Sequence, residues 1–145
     1  MLSFEQLIGE HEAIGAAAKS FERILASPKP NVIAALAARA RLSALLKEHL
    51  AHEDAQVYPR LIAVAHGPTA DIARRFATQY ESMVADWLAY MNRWTGDAMA
   101  ADWRRFRNET AVVFTVLRER IEAENAILYP TALAATALTL RRQVA

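Results

Sequence analysis

Cysteine is absent from the 145-residue sequence. That excludes disulfides, thiolate metal sites and cysteine nucleophiles, so any metal must be held by His, carboxylate, Tyr or backbone. Glycine is scarce, at four residues. No apolar run approaches the roughly 20 residues that span a bilayer. The N-terminus has no basic flank ahead of an apolar stretch, so no secretion signal is expected and the cytoplasm is the default location. Neither sign of charge dominates: 17 Lys and Arg stand against 16 Asp and Glu. This removes the electrostatic reason to expect nucleic acid or an anionic membrane as partner. The local run Arg104, Arg105 and Arg107 reads as a solvated helix face.

What is present is apolar and helix-forming. Hydrophobic residues make up 54% of the chain, enough for the core of one domain over residues 1–145 and too little chain for two. Ser3 with Gln6 forms a capping-box pattern for a first helix to about Ala26, which Ser27, Pro28 and Pro30 break. A second helix is expected from about Asn31 to Ala65, with Pro59 near its end. Gly67 and Pro68 end it, and Thr69 is the expected cap of a third helix to about Trp94. After Gly96 and Asp97 a fourth helix runs from about Met99 to Leu128, and beyond Pro130 a short tail helix is expected over roughly Thr131 to Gln143. Long amphipathic helices with short connections pack as an all-α, antiparallel up-down four-helix bundle, here with a short C-terminal helix.

Each long helix carries a stripe in steps of three or four. The stripes read Phe4, Leu7, His11, Ile14, Ala18, Phe21, Leu25, then Ala38, Leu42, Leu45, His49, Glu53, Gln56. The third reads Ile72, Phe76, Tyr80, Met83, Trp87, Tyr90, Trp94, and the fourth Phe106, Thr110, Val113, Leu117, Arg120, Glu124, Ile127. Polar groups interrupt all four at corresponding levels, where a charge is costly unless it is paired or bound to a metal. The chain also repeats itself: residues 46–59 align without gaps on 117–130. In that frame His49 matches Arg120, Glu53 matches Glu124 and Tyr58 matches Tyr129, while His11 matches Tyr80. A two-helix unit has been duplicated, and only the first copy keeps its histidines.

His49 and Glu53 are four apart, so one helix face presents an imidazole and a carboxylate together. With His11 and Glu124, two nitrogens and up to four oxygens converge, a set that suits iron, manganese or zinc. His52 is offset from the stripe and supplies a ligand only if the helix is rotated. His66 reads as a loop or helix-end residue. Tyr58 and Tyr129 plug the end of the bundle or hydrogen-bond near the site, and Met83, Trp87 and Trp94 read as core.

A His in the first helix, followed by His-x-x-x-Glu ahead of Tyr-Pro in the second, resembles the hemerythrin HHE cation-binding family over nearly the whole chain. The resemblance implies a bundle with two irons. His11 and His49 would serve the first metal, and Glu53 and Glu124 would bridge. The histidines of the second metal should stand at Tyr80 and Arg120, and this sequence departs from the pattern at both. Arginine keeps its proton and is no ordinary ligand. Its guanidinium is expected to take the place of the second cation and pair with Glu53 and Glu124.

The expectation is therefore at most one divalent metal, iron first, with zinc, manganese or none as alternatives. His11, His49, Glu53 and Glu124 are the expected ligands, with Tyr80, Arg120 and His52 as neighbouring or replaced positions. Three functions are open on this basis. The first is a metal-binding or sensory module responding to metal, oxygen, peroxide or nitric oxide. The second is a metal-free regulatory bundle with a buried Arg–Glu network and a protein partner. The third is a mononuclear oxidoreductase acting on peroxide or oxygen, ranked last because no substrate pocket or second acid–base pair is evident. A homodimer is allowed but not demanded.

Overall fold

The computed structural model describes residues 3–63 and 67–135. Expectations for His66 and for the tail over 136–143 lie outside them. The elements in chain order are helices α1 (Phe4–Leu25), α2 (Val32–Gln56), α3 (Tyr58–Ala63), α4 (Pro68–Arg93), α5 (Gly96–Ala101) and α6 (Trp103–Ala123). A π-helical turn over Glu124–Leu128 closes α6, and the chain stays helical through 129–135. Among the described residues there is no strand, and no helix is long and apolar enough to cross a membrane.

Four helices, α1, α2, α4 and α6, form the bundle, and their contacts fix its direction. Glu22 meets Arg118 and His11 meets Asn125 across α1 and α6. Ser43 meets Trp87, and Arg39 meets Trp94, between α2 and the α4 end. Tyr90 meets Thr110, and Gln79 meets Arg120, between α4 and α6. In each pair one number rises as the other falls, so neighbours run antiparallel.

The ends of the helices obey local chemistry. Ser3 and Gln6 cap α1 reciprocally, as the pattern predicts. The other boundaries differ from the sequence expectations in three places. The second helix does not run unbroken to Ala65; it ends at Val57, and Pro59, which has no N–H to donate, sits in the first turn of α3. Gly67, not Thr69, caps α4, because its φ of 68° turns the chain and Pro68 takes the first helical position. The fourth segment is not one helix from Met99. Thr95 caps α5, and Asp102 then leaves helical geometry to cap α6 through Arg105 N.

The C-terminal end departs most. No break precedes Thr131; instead the wide turn carries the chain past Pro130, with Tyr129 N donating to Glu124 O. The extra residue rotates the helix beyond it. Ile127, expected inside, is 45% exposed, whereas Leu128 and Tyr129 are buried.

The core falls into two apolar parts. The larger contains Ile14, Phe21, Leu42, Leu46, Phe106, Phe114 and Leu117, and the smaller Leu7, Val57, Phe76, Leu128 and Tyr129. Along every long helix the gap between them is filled by a polar residue: His11, His49 with Glu53, Tyr80, and Arg120 with Glu124. Phe21 is fully buried against Phe106 and Phe114. Phe21→Ala is expected to lower stability by about 3–5 kcal/mol, read as a shifted urea midpoint at fixed metal content, since a bound metal would add its own stabilisation.

Candidate metal centre

The α-helical repeat of α1 and α2 points His11, His49 and Glu53 at the same level between the two cores, and α6 brings Glu124 to it at the start of the π turn. One ligand atom from each of these four residues lies within 4.8 Å of the other three, and all four residues are buried. His11 Nε2 is 2.9 Å from His49 Nε2. His49 Nε2 is 3.0 Å from Glu53 Oε1, and His11 Nε2 is 3.6 Å from Glu124 Oε1.

The outer nitrogens are held too. His11 Nδ1 lies 2.7 Å from Asn125 Oδ1, and His49 Nδ1 lies 3.0 Å from Glu10 Oε1. With an oxygen acceptor on each Nδ1, that nitrogen carries the hydrogen and each Nε2 turns a lone pair inward. Two lone pairs facing at such a distance require a shared cation, either a proton or a metal. Glu53 Oε2 is buried without a hydrogen-bond partner, which a cation held in the cluster would supply; Glu124 Oε2, also without a hydrogen bond, faces the Arg120 guanidinium instead. The residues fit one metal.

Electrostatics agree with the geometry. Burial alone would lower His49, but contacts with Glu124, Glu53 and Glu10 outweigh it and push the imidazole up to about 10. Burial raises Glu53, with the His49 hydrogen bond opposing it and the charge of Glu124 adding to it. Glu124 goes the other way: against its burial, His11 and His49 hold it down to about 2, with the charge of Arg120 adding to their effect. Tyr129 donates its hydroxyl hydrogen to Glu53 Oε1 at 2.8 Å. Burial pushes this phenol far above its usual range, so it remains a donor.

The other half of the layer is different. Arg120 is buried, and its Nε lies 3.5 Å from Glu124 Oε2. The expected pairing with both carboxylates is only half present. Nη2 donates instead to Tyr58 Oη at 3.1 Å and Phe76 O at 3.0 Å, and Nη1 to Gln79 Oε1 at 3.2 Å. The guanidinium also lies 4.7 Å from the centre of the Phe76 ring. Tyr80 is half-buried and makes no hydrogen bond to the cluster among the described residues. His52 is turned away from it and reaches it only through Glu10, which accepts from His52 Nδ1 at 2.6 Å. Sequence reasoning missed Glu10 and Asn125 as partners. Asn125 had no signal, since its match in the repeat, Asp54, is exposed and outside the cluster; Glu10, one step from His11, reads as outer face.

The model of the hemerythrin HHE cation-binding domain matches residues 2–132. No curated protein and no solved structure gives a significant match.

Metal must displace the proton that His49 holds up to about pH 10. Affinity is therefore expected to rise with pH, by up to about tenfold per unit between pH 6 and 8, and calorimetric titration of the protein with Zn²⁺ checks it. A flat profile would contradict a protonated His49.

Proposed function

The chain belongs to the hemerythrin HHE cation-binding domain family, and on that premise we propose that it is a metal-binding sensory module holding one non-haem metal, iron, in the core. The observation that carries this reading is the buried His11, His49, Glu53 and Glu124 cluster with an unpaired carboxylate oxygen on Glu53. Two imidazoles with two carboxylates form a mixed nitrogen and oxygen set that suits iron, with zinc or manganese as the nearest competitors. Bound there, iron would supply redox chemistry and affinity for small ligands such as oxygen, peroxide or nitric oxide.

The protein residues do the rest. Asn125 and Glu10 orient the imidazoles, Tyr129 fixes Glu53 and the apolar layers above and below exclude water. Charge supports a single metal. One divalent ion with Arg120 gives three positive charges, against three negative ones on Glu53, Glu124 and Glu10. A second divalent ion beside the buried guanidinium would face repulsion rather than ligands. The sensory reading ranks above an oxidoreductase because the tyrosines at the cluster, Tyr129 and Tyr58, are both held protonated by burial and the Glu10–His52 pair beside it is engaged in orienting His49.

His49→Ala tests the reading. Ferrous iron added anaerobically is expected to raise the melting temperature of the native protein and leave that of the variant unmoved, with metal affinity lowered at least about a hundredfold. Equal stabilisation of both proteins would place the metal elsewhere.

A further inference from the structure

Helix α4 is fastened to its neighbours at two levels and parts from them between. At one level Trp87 donates to Ser43 Oγ at 3.1 Å, Tyr90 meets Thr110 at 2.7 Å and Arg93 pairs with Glu109 at 3.0 Å. At the other, Arg120 is bonded to Phe76 O and Gln79. Between α2, α4 and α6 lies a cleft of about 740 Å³ that Tyr80, Met83, Trp87, Leu46, Val113 and Leu117 help to line. Its wall runs along α4 from Tyr80 to Arg93, ~20 Å at the helical rise, and the stretch from Tyr80 to Asp86 lies clear of both sets of bonds. The cleft opens to solvent along Leu88, Val112 and Val116, and its size and apolar wall match pockets for organic ligands, which span roughly 300–1,000 Å³.

The polar groups of the wall indicate what it would accept. Most are already satisfied inside the protein. Ser43 is taken by Trp87 and Met91, Asp86 accepts from Ser82, and Glu109 binds Arg93, Arg105 and Trp94. Two lining side chains, Lys47 and Tyr80, have no hydrogen-bond or ion-pair partner among the described residues. Both offer hydrogens. Burial, with Asp54 and Glu53 nearby, pushes the Tyr80 phenol up, so its hydroxyl stays a donor. The Trp87–Ser43 bond sets the antiparallel register of α4 on α2: seven residues on, Tyr80 stands level with Leu50, one turn from Lys47. A cation and a donor thus share one end of a long apolar cleft.

We propose that this cleft binds a long-chain carboxylate, with its head on Lys47 and Tyr80 and its tail running past Met83, Val113 and Trp87. Neither end of the cleft requires the metal, so the site stands apart from the function proposed above. A neutral molecule would leave the Lys47 charge unused, and a second copy of the chain would cover the exposed rim of Leu88, Val112 and Val116 without filling the depth.

Dodecanoate, added below its micellar concentration, is the probe, with calorimetry and tryptophan fluorescence on the full chain before and after chelation. Saturable binding near one per chain is expected in both preparations. Val113→Trp should weaken it at least tenfold with helical content and metal content unchanged. Tyr80→Phe and the exposed Lys47→Met should each weaken it by about three- to tenfold, and dodecanol should bind at least tenfold less tightly than dodecanoate. Lys47→Met carries the test if Val113→Trp does not fold. No saturable binding, dodecanol binding as tightly as dodecanoate, binding indifferent to these variants, or a dimer that dissociates on Val116→Glu while dodecanoate fails to bind, each overturns the proposal. Chains that bind dodecanoate but take up no ferrous iron would instead count against the metal reading alone.

Discussion

Four ionisable side chains meet in the middle of an otherwise apolar bundle, and the cost of keeping them from water governs the structure around them. A lone carboxylate buried like Glu53 would be strongly destabilising. Here each group is answered by another: Glu53 by His49 and Tyr129, Glu124 by His11 and Arg120, and the outer nitrogens by Glu10 and Asn125. The layer divides the core in two, so apolar packing on either side both seals the groups and depends on their satisfaction. The π turn belongs to the same requirement. Without its extra residue Tyr129 would face elsewhere, and Glu53 would lose a 2.8 Å hydrogen bond.

The two halves of the repeat answer the constraint differently. In the first, two imidazoles and the shared carboxylates leave room for a metal. In the second, Arg120 brings a permanent charge and distributes it over Glu124, Tyr58, Gln79 and the carbonyl of Phe76. A guanidinium has five hydrogens to place, and two carboxylates already engaged by histidines could not take them all. That is why Arg120 turns partly toward α3 and α4 instead of pairing with both glutamates. The exchange also changes how α4 is held. Tyr80 stays at the wall of an open cleft, and among the described residues the hydrogen bonds and ion pairs that hold α4 to α2 and α6 lie on either side of it.

Much of this was legible in the sequence. The stripes placed Leu7, His11, Ile14, Phe21, Leu42, His49, Glu53, Phe106, Leu117, Arg120 and Glu124 inside, and the structure buries every one of them. These are long periodic segments whose inward face is fixed by burial, so spacing alone reads them. The internal repeat also located the lost histidines. What spacing could not read was every place where the helical period changes. Asp102 breaks a helix by capping Arg105 N with its side chain, and the break at Val57 falls just ahead of Pro59, which has no N–H to donate. The π turn shifts the register after Glu124, so Ile127 and Tyr129 exchange faces relative to a regular helix. Glu10 was hidden for a related reason. A carboxylate beside the stripe looks solvated until its length lets it reach back over α2 to both His49 and His52.

The central claim is that Arg120 takes the place of one cation and leaves room for one metal. Elemental analysis of chains purified without chelators and then saturated anaerobically with ferrous iron tests it most directly. About one metal per chain is expected, rising toward two when Tyr80 and Arg120 are both replaced by histidine. Two metals per native chain would contradict it, because a second ion would have to share its place with a buried guanidinium.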